Sequence, residues 1–171
     1  IGKFFKYKMK IRIIPTVLYN NFSCVKGKNF QSWRVSGSLK QTIKLYSLRE
    51  VDELIFLNIN ANKESINFRI IDDFADECFM PLTVGGGVKS LEDIRRLLAV
   101  GADKVAINSA ALDSPSLIRE SAESFGSQCI VLSIDYLYNS DGYAEVVSHS
   151  GSRRTGYTCI EWAKKVEKLG A

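Results

Sequence analysis

Short, almost wholly apolar runs alternate along this chain with longer stretches in which apolar positions recur three and four apart. The first pattern predicts strands buried on both faces, the second amphipathic helices laid against them. Residues 12–18, Arg-Ile-Ile-Pro-Thr-Val-Leu, form the first run, and residues 51–59, Val-Asp-Glu-Leu-Ile-Phe-Leu-Asn-Ile, the second. Between them a polar, glycine-containing loop is expected over residues 20–37, then a helix capped by Ser38 with Leu39, Ile43 and Tyr46 at helical spacing. A second helix over residues 67–78 puts Phe68, Ile71, Phe74 and Ala75 on one face. The third run, Phe79-Met80-Pro81-Leu82-Thr83-Val84, stops in Gly85, Gly86 and Gly87, and a helix from Ser90 to about Val100 turns Ile94, Leu97 and Leu98 inward. Residues 104–109 and 129–135 are the fourth and fifth strands, separated by a helix over residues 115–125. A polar insertion over residues 136–158 alternates like a small hairpin, and residues 160–169 make a fifth helix.

Strand followed by helix, repeated in this way, gives a parallel sheet with helices outside it, either doubly wound or closed into a barrel. Polar residues at the C-terminal ends of the strands, Asn58, Gly85 to Gly87, Asn108 and Asp135, favour the barrel, whose active site lies at that end. A closed barrel takes eight units and about 250 residues, and this chain has 171. The expectation is an α/β chain of the (β/α)8 TIM-barrel type, truncated to about five βα units. Residues 10–171 are then the N-terminal part of a larger barrel, residues 1–9 an extension, and Met9 the native start.

Composition narrows the chemistry. With 46% hydrophobic and 25% charged residues the chain has the balance of a soluble globular protein. Its net charge of +4, part of it in Lys3, Lys6, Lys8 and Lys10, is too small for nucleic-acid binding but suits an anionic substrate. Cys24, Cys78, Cys129 and Cys159 lie far apart without a CxxC pair, and His149 is the only histidine. They are expected to be reduced, mostly buried residues of a cytoplasmic protein, with no metal site and no disulfide. No apolar run approaches the roughly 18 residues of a membrane span, and no signal peptide is apparent. The triple glycine admits two readings, a structural turn or a loop whose backbone closes on a phosphate, with the helix after it aiming free amides at the same place. A second unit ending in Asn108-Ser109 favours the phosphate.

Several blocks together carry a resemblance: Arg12-Ile13-Ile14-Pro15, Lys26-Gly27-x-Asn29-Phe30, Asp52-Glu53-Leu54-Ile55-Phe56-Leu57, Thr83-Val84-Gly85-Gly86-Gly87, Gly101-Ala102-Asp103-Lys104-Val105-Ala106-Ile107-Asn108-Ser109, Phe125-Gly126-Ser127-Gln128 and Ile134-Asp135. In this order they resemble the cyclase subunit of imidazole glycerol phosphate synthase (HisF). The resemblance implies a barrel that accepts ammonia from a separate glutaminase subunit for a lyase and cyclase step of histidine biosynthesis, with no metal or redox cofactor. It further implies that Gly87, Asn108 and Ser109, beside Gly85 and Gly86, form a phosphate site, and that Lys26 is a loop cation folding over a small phosphorylated substrate. Asp135 would be one of two acid–base carboxylates; the lesser alternative is that it simply caps the following loop. Arg12, Glu53 and Lys104, on their own a solvated ion-pair layer, would belong to the ring through which ammonia enters.

The departures are equally specific. Where the resemblance expects the second acid–base carboxylate the chain has Leu18, where it expects a cysteine it has Thr16, and the carboxylate of the second strand is Asn58. Leucine neither gives nor takes a proton. Leu18, together with Glu77-Cys78-Phe79-Met80-Pro81, is similar to a paralogous branch associated with amidotransferases that install acetamidino groups on surface-polysaccharide sugars. Three readings follow: ammonia supply for sugar amidation, the histidine-pathway cyclase, and a non-catalytic phosphate-binding fragment of a barrel.

Overall fold

A computed structural model describes residues 11–60 and 65–171. The expected N-terminal extension and start at Met9 lie outside the described residues. Five strands run parallel: β1 (Thr16–Tyr19), β4 (Leu54–Asn58), β5 (Leu82–Gly85), β6 (Lys104–Ile107) and β7 (Ile130–Leu132). Between the first two comes an antiparallel pair, β2 (Cys24–Lys28) and β3 (Gln31–Gly37), so that the sheet order is β3-β2-β1-β4-β5-β6-β7. Helices α1 (Leu39–Leu48), α2 (Phe68–Ala75), α3 (Leu91–Ala99), α4 (Ser109–Asp113) and α5 (Ser116–Phe125) occupy the connections. A separate antiparallel sheet of β8 (Asp135–Tyr138), β9 (Ala144–Ser148) and β10 (Arg153–Thr158) leads into α6 (Cys159–Leu169). The result is a mixed α/β chain built on a parallel sheet of βα units.

The core forms because strand side chains and helix faces meet in one layer. Phe56 on β4, 1% exposed, has Tyr19 of β1 on one side and Phe74 of α2 on the other, with ring centroids 5.4 and 4.9 Å apart. Tilted aromatic pairs at this distance add to the gain from area burial. Ile94 and Leu97 of α3, Ile118 of α5 and Trp162 of α6 extend the layer as buried anchors. All of β5 is buried, as expected of the middle one of the five parallel strands.

Three local expectations are corrected. The first strand begins at Thr16, not at residue 12, because Pro15 has no N–H for the ladder. Its carbonyl still accepts from Ile55 N at 2.9 Å, and Ile13 O accepts from Asp52 N at 3.1 Å, so the chain runs alongside β4 before the strand proper starts. Residues 20–37 are mostly a hairpin rather than a loop. Asn29 and Phe30 sit at φ of 50° and 60° between paired Lys28 and Gln31, the two-residue turn whose twist suits antiparallel strands. Finally, the polar insertion is three-stranded and begins one residue earlier than expected: Asp135 opens β8, after a break at Ser133 and Ile134, instead of closing the fifth strand. All four cysteines are free, but only Cys24 is buried; the other three are half-buried.

Candidate functional site

A cavity of about 650 Å³ opens at the C-terminal ends of the parallel strands. Its wall contains Leu18, Asn58, Gly86, Gly87, Asn108, Ser109 and Asp135, so residues that the sequence placed at separate strand ends converge on one space. Gly86 is held at φ 102°, and a Cβ there would lie 2.1 Å from the carbonyl oxygen of Asn58. The turn after β5 therefore packs directly on the end of β4, which only glycine permits. Gly85, by contrast, is buried in β5, where an added Cβ would meet Ala106 and Leu57; its role is packing and it is not part of the wall.

The polar groups of the wall are tied to one another. Asn108 Nδ2 donates to Asp135 Oδ2 at 2.7 Å, while the buried Asn108 Oδ1 has no partner among the described residues. A buried acceptor of this kind calls for a donor from water or a ligand. Burial pushes the Asp135 carboxyl above its ordinary value, and the hydrogen bond from Asn108 acts against that rise. Asp135 is thereby closer to the range in which one carboxyl both gives and takes a proton. Ser109 Oγ accepts the backbone N–H of His149 at 3.0 Å. With that lone pair engaged, the hydroxyl proton of Ser109 remains to be donated.

Two expected contributors are not brought in. Lys26 is exposed on β2 and is not part of the wall; its hairpin supplies Phe30 and Trp33 instead. The N-terminus of α3 is in part occupied by its own capping box: Asp93 Oδ2 accepts from Lys89 N and Ser90 N at 3.0 Å each, and Ser90 Oγ accepts from Asp93 N. The carboxylates of Glu92 and Asp93 in that first turn also oppose an anion. The sequence reading missed the turn after β9, where His149 and Ser150 enter the wall, as well as Asp113 and Ser133. The legible signal was His149 itself, the sole histidine, within a polar insertion.

A second depression of about 830 Å³, between Phe22 and α2, is lined by Phe68, Arg69 and Arg96. Arg96 lies 3.7 Å over the Phe68 ring. This depression is lined by no carboxylate or histidine, so the smaller cavity is the candidate site.

Compared with known proteins, the sequence matches the family described as histidine biosynthesis protein over residues 12–171. The chain belongs to that family. It is 44% identical over 166 residues to the imidazole glycerol phosphate synthase subunit HisF of Streptomyces coelicolor, an alignment covering 95% of this chain and 66% of the relative. The chain thus spans just under two thirds of that relative's length.

Against this family background, the opposite end of the strands carries a second charged constellation. Glu53, 6% exposed just before β4, receives Arg12 Nη1 on Oε1 and Lys104 Nζ on Oε2, the latter at 2.7 Å. The three residues singled out as a candidate gate form one connected ion-pair cluster. Asn58, where the resemblance expects a carboxylate, uses both ends of its amide: Nδ2 donates to Asn21 Oδ1 at 2.7 Å and Oδ1 accepts from Asn60 N at 2.9 Å. A carboxylate there could not donate to Asn21, so the amide suits this loop arrangement. Among the described residues no helix is long and apolar enough to cross a membrane, and no group of three or more His, Cys, Asp or Glu is placed to hold a metal ion.

Proposed function

We propose that the chain is the N-terminal part of a HisF-type barrel that takes ammonia from a glutaminase partner and uses it to amidate a small phosphorylated or nucleotide-sugar substrate in surface-polysaccharide biosynthesis. The observation carrying this reading is Leu18: an apolar side chain lines the same cavity as Asp135, where the family resemblance expects a second carboxylate. A cyclisation that needs proton transfer on both sides of its substrate loses one of its two groups, while binding and ammonia delivery do not depend on residue 18. In this reading the Gly86-Gly87 turn, Asn108 and Ser109 take the phosphate and Asp135 gives or takes the remaining proton. Lys26 reaches the substrate only if its hairpin shifts toward the cavity. The cluster of Arg12, Glu53 and Lys104, at the strands' N-terminal ends, is where ammonia from the glutaminase would enter.

The second reading, the histidine-pathway cyclase itself, is favoured by the 44% identity to the Streptomyces coelicolor subunit. The two separate in a strain that lacks the histidine-pathway cyclase. Expressed from its full gene with a matching glutaminase, the protein should fail to restore growth without histidine, and Leu18→Asp should improve it. Growth supported fully by the unaltered protein would establish the histidine pathway instead.

A further inference from the structure

His149 lies in the cavity wall in a backbone conformation that side chains seldom adopt. His149, Ser150 and Gly151 follow one another at φ of 53°, 57° and 80°. The turn is held from several sides. His149 N donates to Ser109 Oγ at 3.0 Å, and His149 O accepts from Ser152 N at 3.2 Å and from Ser152 Oγ at 2.7 Å. The ring of Phe30, at the tip of the β2–β3 hairpin, comes within 3.1 Å of where a Gly151 Cβ would stand. Strain that is over-determined in this way persists where it places a group for use. Here it fixes the backbone of His149 on Ser109, the residue assigned to the phosphate, and His149 lines the cavity with it.

The charges around the ring leave room for one more cation. Nε2 lies 3.7 Å from Asp113 Oδ2, and Nδ1 is 3.0 Å from Ser148 Oγ. Asp113 is already matched, since its Oδ1 receives Arg153 Nη1 at 2.7 Å. Lys89 and Asp135 are the other charged groups of the wall and offset one another when Asp135 is ionised. With a neutral imidazole the wall therefore carries little net charge; with an imidazolium it carries one positive charge next to Ser109 and the Gly86-Gly87 turn.

We propose that His149 is the titrating cation of the anion site, so that the cavity selects a phosphate-bearing ligand and holds it more tightly as the imidazole protonates. The inference rests on the reading of the cavity as a phosphate site. Asp113 keeps the ring in place, Arg153 keeps Asp113 from cancelling the added charge, and Ser109 links the turn to the bound group. A unit charge pair about 4 Å apart in a water-like medium changes affinity by about fivefold, and the half-exposed position of His149 calls for that solvent-screened value.

Sulfate is the probe, because it remains a dianion from pH 5.5 to 8 and leaves only the protein to titrate. Sulfate affinity of the chain is measured across that range for the wild type and for His149→Asn, asparagine being tolerant of positive φ. In parallel the single imidazole resonance is followed by NMR with and without saturating sulfate. The expected result is binding about fivefold tighter at the acidic end, a flat profile in His149→Asn, and an upward shift of the imidazole titration when sulfate is present. Sulfate that binds with the same pH profile in both proteins and leaves the imidazole titration unmoved would overturn the role of His149 while leaving the anion site standing. No sulfate binding at any pH would overturn both.

Discussion

Removing the charge of Glu53 tests the ion-pair cluster at the N-terminal ends of the strands. Glu53→Gln keeps the shape but replaces one carboxylate oxygen with an amide N–H facing a cation. The two partners do not count equally. The Arg12 side chain is 61% exposed, so its bridge to Glu53 is largely screened by water and contributes about 0–1 kcal/mol. Lys104 is 28% exposed and bonds Glu53 at 2.7 Å, so the expected loss there is that of a charged hydrogen bond, about 1.5–3 kcal/mol. The sum, about 1.5–4 kcal/mol, corresponds to a fall in melting temperature of about 3–16 °C for a chain of this size. Urea denaturation of the wild type, Glu53→Gln, Lys104→Met and the double variant would give both the loss and the coupling. The double variant should recover part of the loss, because Lys104 no longer faces an amide, with a coupling of about 1 kcal/mol or more. A loss below about 0.5 kcal/mol in Glu53→Gln, with additive single effects, would refute the view that Glu53 organises this end.

Gly86→Ala should destabilise the chain by about 2 kcal/mol or more, since the residue combines left-handed backbone with a Cβ position 2.1 Å from Asn58 O; a loss under about 0.5 kcal/mol in urea denaturation would show that the turn after β5 gives way easily. Asp135→Asn should have a stability effect that depends on pH. The folded-state carboxyl is raised, so its contribution is fully present below the ordinary value of 3.8 and is lost as pH rises through the raised value. The variant, free of a buried charge, should therefore gain stability relative to wild type as pH rises through that window. Denaturation midpoints that run parallel across it would contradict the burial of Asp135.

Much of the fold was legible because parallel strands and helices write distinct periods into the sequence. Of Ile94, Leu97 and Leu98, assigned inward from spacing, the first two are buried and Leu98 is half-buried, and Leu82 and Val84 of the apolar run read as a buried strand are buried. The β2–β3 hairpin was not legible: its strands alternate weakly, and its turn is carried by Asn29 and a Phe30 at positive φ, where glycine is the usual signal. The capping box of α3 was present in the letters, Ser90 with Asp93 three residues on, but the helix was read for its dipole and not for the carboxylate that occupies it. Of the site, Gly86, Gly87, Asn108 and Ser109 stand just beyond parallel strands as the sequence pattern suggested, whereas Asp135 reaches the cavity from the start of β8 and not from the end of the fifth strand. The approach of His149 and Asp113 to the cavity was beyond reach, because it depends on a turn and a short helix packed together over 36 residues of sequence separation.

The most direct test of the account is the turnover of the histidine-pathway cyclase substrate by the protein from its full gene, with ammonium supplied in place of the glutaminase. A positioned acid–base side chain contributes about 10²- to 10⁴-fold to such a step. The account predicts that the unaltered protein runs at least that far below Leu18→Asp. Full cyclase turnover with Leu18 in place, unchanged by the substitution, would contradict it.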